Sequence, residues 1–282
     1  MHYHRKNFSV IFKTLIFIGF TALLLSCNQQ NVNQKPLKLN EKEYFEKQGV
    51  NFLVFSNWYS GYFSDSKMSG VELIHHDVRT ATNGDVRLNR TPEQWDPIPK
   101  FGERRVNQKE GMIEADLSYP KYDFNYTIRA KAKDEGILLT VHLKNSLPEE
   151  LEGRAGFNLE FIPSSYFEKS YIMDGTSGIF PLYPSGPTTI NDYGRIVPEP
   201  LAQGKTLVLA PEDPERKVTI HSENEKLRLY DGRNKAQNGW FVVRSLIPSG
   251  QSGKVIEWKV SANAIPGWTR KPVIAHSQLG YH

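Results

Sequence analysis

The chain has 282 residues, with 35 Lys and Arg against 31 Asp and Glu, a formal net charge of +4 and one cysteine. Arg5, Lys6 and Lys13 supply three of those charges with no acidic residue before Cys27, so the rest of the chain carries only +1. The remaining basic residues are interleaved with acidic ones, which excludes the concentrated basic face a nucleic-acid partner requires. A lone cysteine excludes a disulfide within the chain.

The first element in chain order is an unbroken apolar or small run from Thr14 to Leu25 behind the basic residues. It is too short for a hydrocarbon core of roughly 30 Å, which takes about 20 apolar residues as a helix, and reads as a signal peptide over residues 1–26. Leu24-Leu25-Ser26-Cys27 matches a lipobox, in which small or apolar residues precede a cysteine that is diacylated and becomes the first residue after cleavage. The competing reading of Cys27 is a buried or spare thiol. Its position at the end of the apolar run favours lipidation. The expected product is a lipoprotein held on a membrane, in the outer membrane and facing the periplasm or the exterior, without a spanning segment. Residues 27–45 then form the lipidated cysteine and a polar, Asn/Gln-rich tether.

Seventeen prolines, twenty-one glycines and 12% aromatics suit a turn-rich sheet protein. Strict alternation is clearest at Tyr122, Phe124, Tyr126, Ile128 and Ala130, and the turn Asp134-Glu135-Gly136 leads into Ile137–Leu143, which predicts a hairpin. Further strands are expected at Asn51–Phe55, Val71–His75, Val86–Asn89, Met112–Tyr119, Gly156–Ile162, Thr206–Leu209, Lys217–His221, Lys226–Tyr230, Trp240–Leu246 and Lys254–Val260. Leu39 to Lys47 is at most a short surface helix. Phe180 to Gln203, rich in Pro, Gly, Tyr and Thr, is expected to be a long, ordered, contact-making loop. The fold class is all-β: a large antiparallel β-sandwich over 46–265, of supersandwich type as one option, with a sub-boundary near residue 200 as the alternative.

No Gly-x-Ser-x-Gly, Walker, Gly-x-Gly-x-x-Gly, His-Glu-x-x-His or Cys-x-x-Cys pattern is present, and no cofactor is expected. His75-His76-Asp77 has metal-ligand chemistry, but on a strand His76 points away from the other two, so no metal site is assigned. Glu149-Glu150-Glu152 and Glu212-Asp213-Glu215 read as solvated turns beside prolines. Sugar rings stack their C–H faces on flat side chains while Asn, Asp and Arg bond their hydroxyls. Asn57-Trp58-Tyr59-Ser60-Gly61-Tyr62-Phe63, Trp95 and Asp231-Gly232-Arg233-Asn234 supply both kinds. Trp58, Tyr59, Tyr62, Trp95 and Arg233 are therefore the candidate carbohydrate contacts, whereas Trp240 and Trp258, in strand-like runs, read as core.

Lys271-Pro272-Val273-Ile274-Ala275-His276-Ser277-Gln278-Leu279-Gly280-Tyr281 resembles the opening strand of the immunoglobulin-like module that precedes the catalytic domain in family nine glycoside hydrolases, with Ser277 in place of the usual Asn. Gly70 to His76, Arg79 to Asp85, Asp231 to Asn234 and Asn238 to Ser245 are similar to the N-terminal β-domain of cellulase-like lipoproteins of Bacteroidetes-type bacteria. The resemblance implies a non-catalytic region of a polysaccharide-degrading protein, with residues 270–282 opening a truncated module. Its partners would be a polysaccharide or oligosaccharide, a membrane through the lipid, and a catalytic module of the same or a neighbouring gene product. The family's Asp-Ala-Gly-Asp base motif does not occur here, so no catalytic residue is carried over. Two alternatives stand beside it. One is a free-standing glycan-binding lipoprotein. The other is a mutarotase-like or lyase-like sandwich enzyme needing His75, Arg79 and Glu160 to converge.

Overall fold

A computed structural model describes residues 36–59, 67–92, 96–235 and 239–272. The alternation of apolar and polar residues that the sequence shows is realised as twenty-two strands with four short 3-10 turns, and no α-helix occurs among the described residues. In chain order the strands begin with β1 (Lys38–Leu39), β2 (Phe45–Lys47), β3 (Val50–Val54), β4 (Trp58–Tyr59), β5 (Lys67–Met68), β6 (Val71–His75) and β7 (Val78–Arg87). There follow β8 (Lys100–Asn107), β9 (Met112–Tyr119), β10 (Phe124–Lys133), β11 (Gly136–Leu143), β12 (Gly156–Phe161), β13 (Ser170–Met173) and β14 (Thr176–Ile179). The remainder are β15 (Thr188–Ile190), β16 (Ile196–Pro198), β17 (Ala202–Gly204), β18 (Thr206–Leu209), β19 (Val218–Ser222), β20 (Leu227–Asp231), β21 (Phe241–Leu246) and β22 (Gly253–Ala262).

Two nine-stranded antiparallel sheets form the sandwich. The first runs β1-β2-β3-β6-β7-β12-β21-β20-β17 and the second β14-β13-β18-β19-β22-β11-β10-β9-β8. Strands from before and after residue 200 sit side by side in both sheets, as β12 with β21 and β11 with β22. A boundary near residue 200 would cut through both. The core lies between the sheets, where Phe157 meets Trp258 edge to face at 4.9 Å and the Trp258 Nε1 donates to Ser245 Oγ at 3.0 Å. Burying aromatic area while satisfying the one polar atom of the indole is what makes a tryptophan tolerable there.

Several expectations need correction. Residues 39–47 are no helix: Leu39 pairs with Phe45, and the buried Phe45 commits this stretch to the first sheet, so the tether ends before residue 38. The strand expected at Val86–Asn89 starts at Val78, because small residues and a left-handed Asn83 (φ 53°) interrupt the alternation that a period-two reading needs. Phe180 to Gln203 is not irregular throughout. It holds the hairpin β15–β16 and part of β17. At His76-Asp77 the chain makes a two-residue turn with positive φ at both positions, 49° and 62°, closing the β6–β7 hairpin on the pair His75↔Val78.

Candidate functional site

Along β12, β20 and β21 one set of side chains enters the core: Phe157, Leu159, Leu227, Leu229, Val243 and Ser245. The alternate set faces away from the second sheet. Registers place Gln203, Arg228, Arg244 and Asn158 in one row across four neighbouring strands, each opposite the next, and Asp85 lies opposite Asn158 on a fifth strand, where Tyr126 of the second sheet reaches its carboxylate. The adjacent row is Tyr230, Val242, Glu160 and Thr82. A sheet face of that composition is ordinarily wet, yet Asp85, Asn158, Tyr230 and Arg244 are buried, Arg244 at 0% exposure.

Charges in this patch are densely coupled. Burial alone would lower the Arg87 pKa, but Glu160 and Asp85 outweigh it and the guanidinium is held above its ordinary value. Arg244 goes the other way: burial lowers it to about 10 against the pull of Asp96, Tyr230 and Glu160. Burial raises the Asp96 carboxyl, partly offset by Arg87 and Arg244. Tyr126 of the second sheet donates its hydroxyl to Asp85 Oδ1 at 2.9 Å, and Asn83 Nδ2 donates to Glu160 Oε2 at 2.7 Å. Among the described residues Arg244 Nε, Nη1 and Nη2 have no hydrogen-bond partner, nor has Asn158 Oδ1 opposite it. Unsatisfied buried donors on a cation are rare and costly. The Arg244 side chain lies across Gly156, where a Cβ would stand 3.1 Å from Nε and 2.7 Å from the Ser245 carbonyl.

Over the Arg228 end of this face opens a cleft of about 1170 Å³. Its floor includes Arg228, Tyr230 and Leu246, and its walls are the hairpin β15–β16, the loop at 152–154 and the segment at 89–91. At the other end, Glu72 is buried and accepts from Thr82 Oγ1 at 3.1 Å, from Asn57 Nδ2, and from Arg79 Nε at 3.1 Å. Asn57 leads directly into β4, which carries Trp58 and Tyr59.

The sequence candidates fare differently. Trp58 and Tyr59 lie in β4, paired with β5 beside the Glu72 cluster. Tyr62 and Trp95 fall outside the described residues, as does Cys27, although the neighbours of Trp95 are placed: Asp96 accepts from the Asn89 amide at 3.2 Å. Arg233 is engaged within the chain. It pairs with buried Asp231 at 2.8 Å, donates to the carbonyls of Pro181 and Leu182, and stacks over Phe167 and Phe241, pinning the 181–183 loop. His75, Arg79 and Glu160 do not converge. His75 points into the core side with its Nε2 donating to the Asn263 carbonyl, Arg79 is engaged by Glu72, and Glu160 is on the opposite face from His75. His76 stacks on His75 at 4.5 Å and its Nδ1 donates to the Glu215 carbonyl. Glu212 and Asp213 are working groups, not merely solvated. Glu212 accepts from the Ser170 amide at 2.7 Å and Asp213 pairs with Lys169 at 2.7 Å. Trp258 is core, and Trp240 is half-buried just ahead of β21. The row through Arg228, Arg244 and Asn158 escaped the sequence reading, since its only signal is the alternation of polar residues with core residues on β12, β20 and β21.

No protein-family model matches the sequence, and no curated protein matches it. Among solved structures it is similar to the crystal structure of the Slr1438 protein from Synechocystis sp. PCC 6803, with 8% identity over 82% of this chain and 96% of that one and a TM-score of 0.35. At that level the likeness says nothing about ligand or activity.

Proposed function

We propose that this chain is a lipid-anchored, non-catalytic region that holds glycan for a polysaccharide-degrading protein or assembly of the family nine cellulase type. The observation that carries the reading is the cleft over the polar face of the first sheet. Its volume of about 1170 Å³ sits at the upper end of ligand pockets, which run to roughly 1,000 Å³, and suits an oligosaccharide better than a small metabolite. Polar lining residues together with the exposed Tyr193 ring provide the mix of hydroxyl partners and flat surface that sugars take. Affinity electrophoresis against β-glucans and other plant polysaccharides tests the reading, with Trp58→Ala, Trp95→Ala and Tyr193→Ala alongside. Retardation that weakens in any of these variants supports glycan holding, and no retardation by any polysaccharide rejects it.

A second reading has its own observation. Ile179, Leu182, Tyr183, Ile190, Tyr193 and Ile196 are exposed apolar residues within one stretch of chain. Such a concentration suits packing against a catalytic module. Sedimentation of the protein with a purified family nine catalytic module would then show a complex that Ile190→Ser and Ile196→Ser weaken, and no complex would reject this role.

A further inference from the structure

We infer that the cleft is built for an acidic glycan, a chain carrying uronic-acid carboxylates, with Arg228 and Arg154 as the carboxylate contacts and Arg244 as the cation beneath them. This rests on the glycan-holding reading and names its substrate class. The cleft is lined by four cations, Arg90, Arg154, Arg228 and Lys235, against two anions, Glu152 and Glu199. Glu199 is already used within the wall, accepting from Thr189 Oγ1 at 3.0 Å. Arg90, Arg154 and Arg228 form no ion pair among the described residues; Arg154 makes one long bond, Nη1 to the Glu150 carbonyl at 3.3 Å. Exposed arginines need no partner, but three of them turned into one concavity with low-dielectric walls concentrate a positive field where counter-ions collect.

Arg244 adds the independent observation. It is the cross-strand partner of Arg228 and lies two residues before Leu246 on the same face, and both of those line the cleft. Its guanidinium is fully buried, with every donor unbonded among the described residues. Gly156 leaves space beside it: a Cβ there would press on its stem at 3.1 Å from Nε and 3.3 Å from Cγ, and would meet the Ser245 carbonyl at 2.7 Å. Arg228 and Arg154 at the cleft surface favour an anion that can take bidentate bonds, which is the chemistry of a carboxylate. Tyr193, 87% exposed in the wall, offers an open ring for the apolar face of a sugar. Carboxylate recognition and ring stacking together describe a uronate and neither a free anion nor a neutral glucan.

The test is isothermal titration of the whole protein with oligogalacturonate, with the same oligosaccharide fully methyl-esterified, with neutral β-glucan oligosaccharide, and with polyglutamate as a polycarboxylate that is not a sugar. Arg228→Gln and Arg154→Gln are measured alongside Arg244→Gln; the first two are on the cleft surface and fold even if the third does not. The expected result is binding of oligogalacturonate that weakens with added salt, falls at least about tenfold in Arg228→Gln and Arg154→Gln, and is lost on esterification. Equal binding of esterified and free oligosaccharide, or of the neutral glucan alone, overturns the acidic preference and leaves glycan holding intact. Equal binding of polyglutamate overturns sugar recognition at this site. No binding of any glycan overturns the inference together with the reading beneath it.

Discussion

His75 makes the acid stability of this fold quantitative. It closes β6 with its ring buried, Nε2 donating to the Asn263 carbonyl at 2.7 Å and Nδ1 without a partner. Burial lowers its pKa to about 3; the Asn263 carbonyl opposes the shift, and the charges of His76, Arg216 and Lys47 add to it. The folded protein therefore keeps this ring neutral while the unfolded chain protonates it at its ordinary value of about 6.5. Above that pH neither state takes the proton and the residue has no pH effect. As pH falls through 6.5 towards 3, only the unfolded state gains it, and stability declines by about 1.4 kcal/mol per pH unit. Two units below the unfolded pKa, near pH 4.5, this residue alone removes about 2.7 kcal/mol. Glutamine at position 75 keeps a donor for the Asn263 carbonyl and does not titrate. Urea unfolding of the wild type and of His75→Gln, followed by tryptophan fluorescence from about pH 7.5 down to pH 4.5, isolates the effect from the carboxylates that both proteins share. The two stability curves are expected to converge in slope above pH 6.5 and diverge below it, with the wild type losing the extra 2 to 3 kcal/mol. Parallel curves across the whole window would refute the account of His75 as a ring held neutral by burial.

Other substitutions probe the face that holds the cleft and the elements around it. Gly156→Ala places a Cβ 2.7 Å from the Ser245 carbonyl and against the Arg244 stem, so a loss of about 1–3 kcal/mol is expected in thermal melts, with weaker oligogalacturonate binding in the surviving folded protein. Trp258→Ala removes the largest fully buried side chain and its bond to Ser245, and costs about 3–5 kcal/mol in urea unfolding. Arg233→Ala strips the counter-charge from Asp231, whose side chain is fully buried, and releases the carbonyls of 181–183. A loss of about 3–5 kcal/mol and faster proteolysis within 179–198 follow, and Arg233→Lys does not restore the protein because an ammonium cannot reproduce the fork.

How much of this was legible in the sequence depends on what each strand faces. β9 and β10 alternate cleanly because one side enters the core and the other reaches solvent, and β6, β9 and β18 were placed to the residue. The edge strand β8, Lys100–Asn107, carries Lys100, Glu103, Arg104 and Arg105 and offers no apolar period. Charged edges resist pairing with another chain, which is also why they look like loops in a sequence. β7 was shortened for another reason. At Gly84 a Cβ would stand 2.5 Å from the Val71 Cβ, so the β6–β7 ladder slips there and the hydrophobic period slips with it. The site was harder still. Arg228, Arg244 and Asn158 look like a solvated face in the sequence, yet Arg244 and Asn158 are buried and Arg228 lines the cleft. Arg233 stands out in the sequence for its turn and its charge, while its part in holding the 181–183 loop does not show there. Its partner Asp231 is two residues away and visible, whereas the carbonyls of Pro181 and Leu182 that occupy its remaining donors are some fifty residues distant and carry no side-chain mark.

Amide hydrogen exchange of the protein with and without bound oligosaccharide tests the proposal that glycan is held over the polar face of the first sheet. Slowed exchange is predicted in the segments at 89–92, 152–154 and 188–198 and along β20, with the outer face of β9 and β10 unchanged. Protection confined to the second sheet, or none in those four segments while glycan is demonstrably bound, would contradict it.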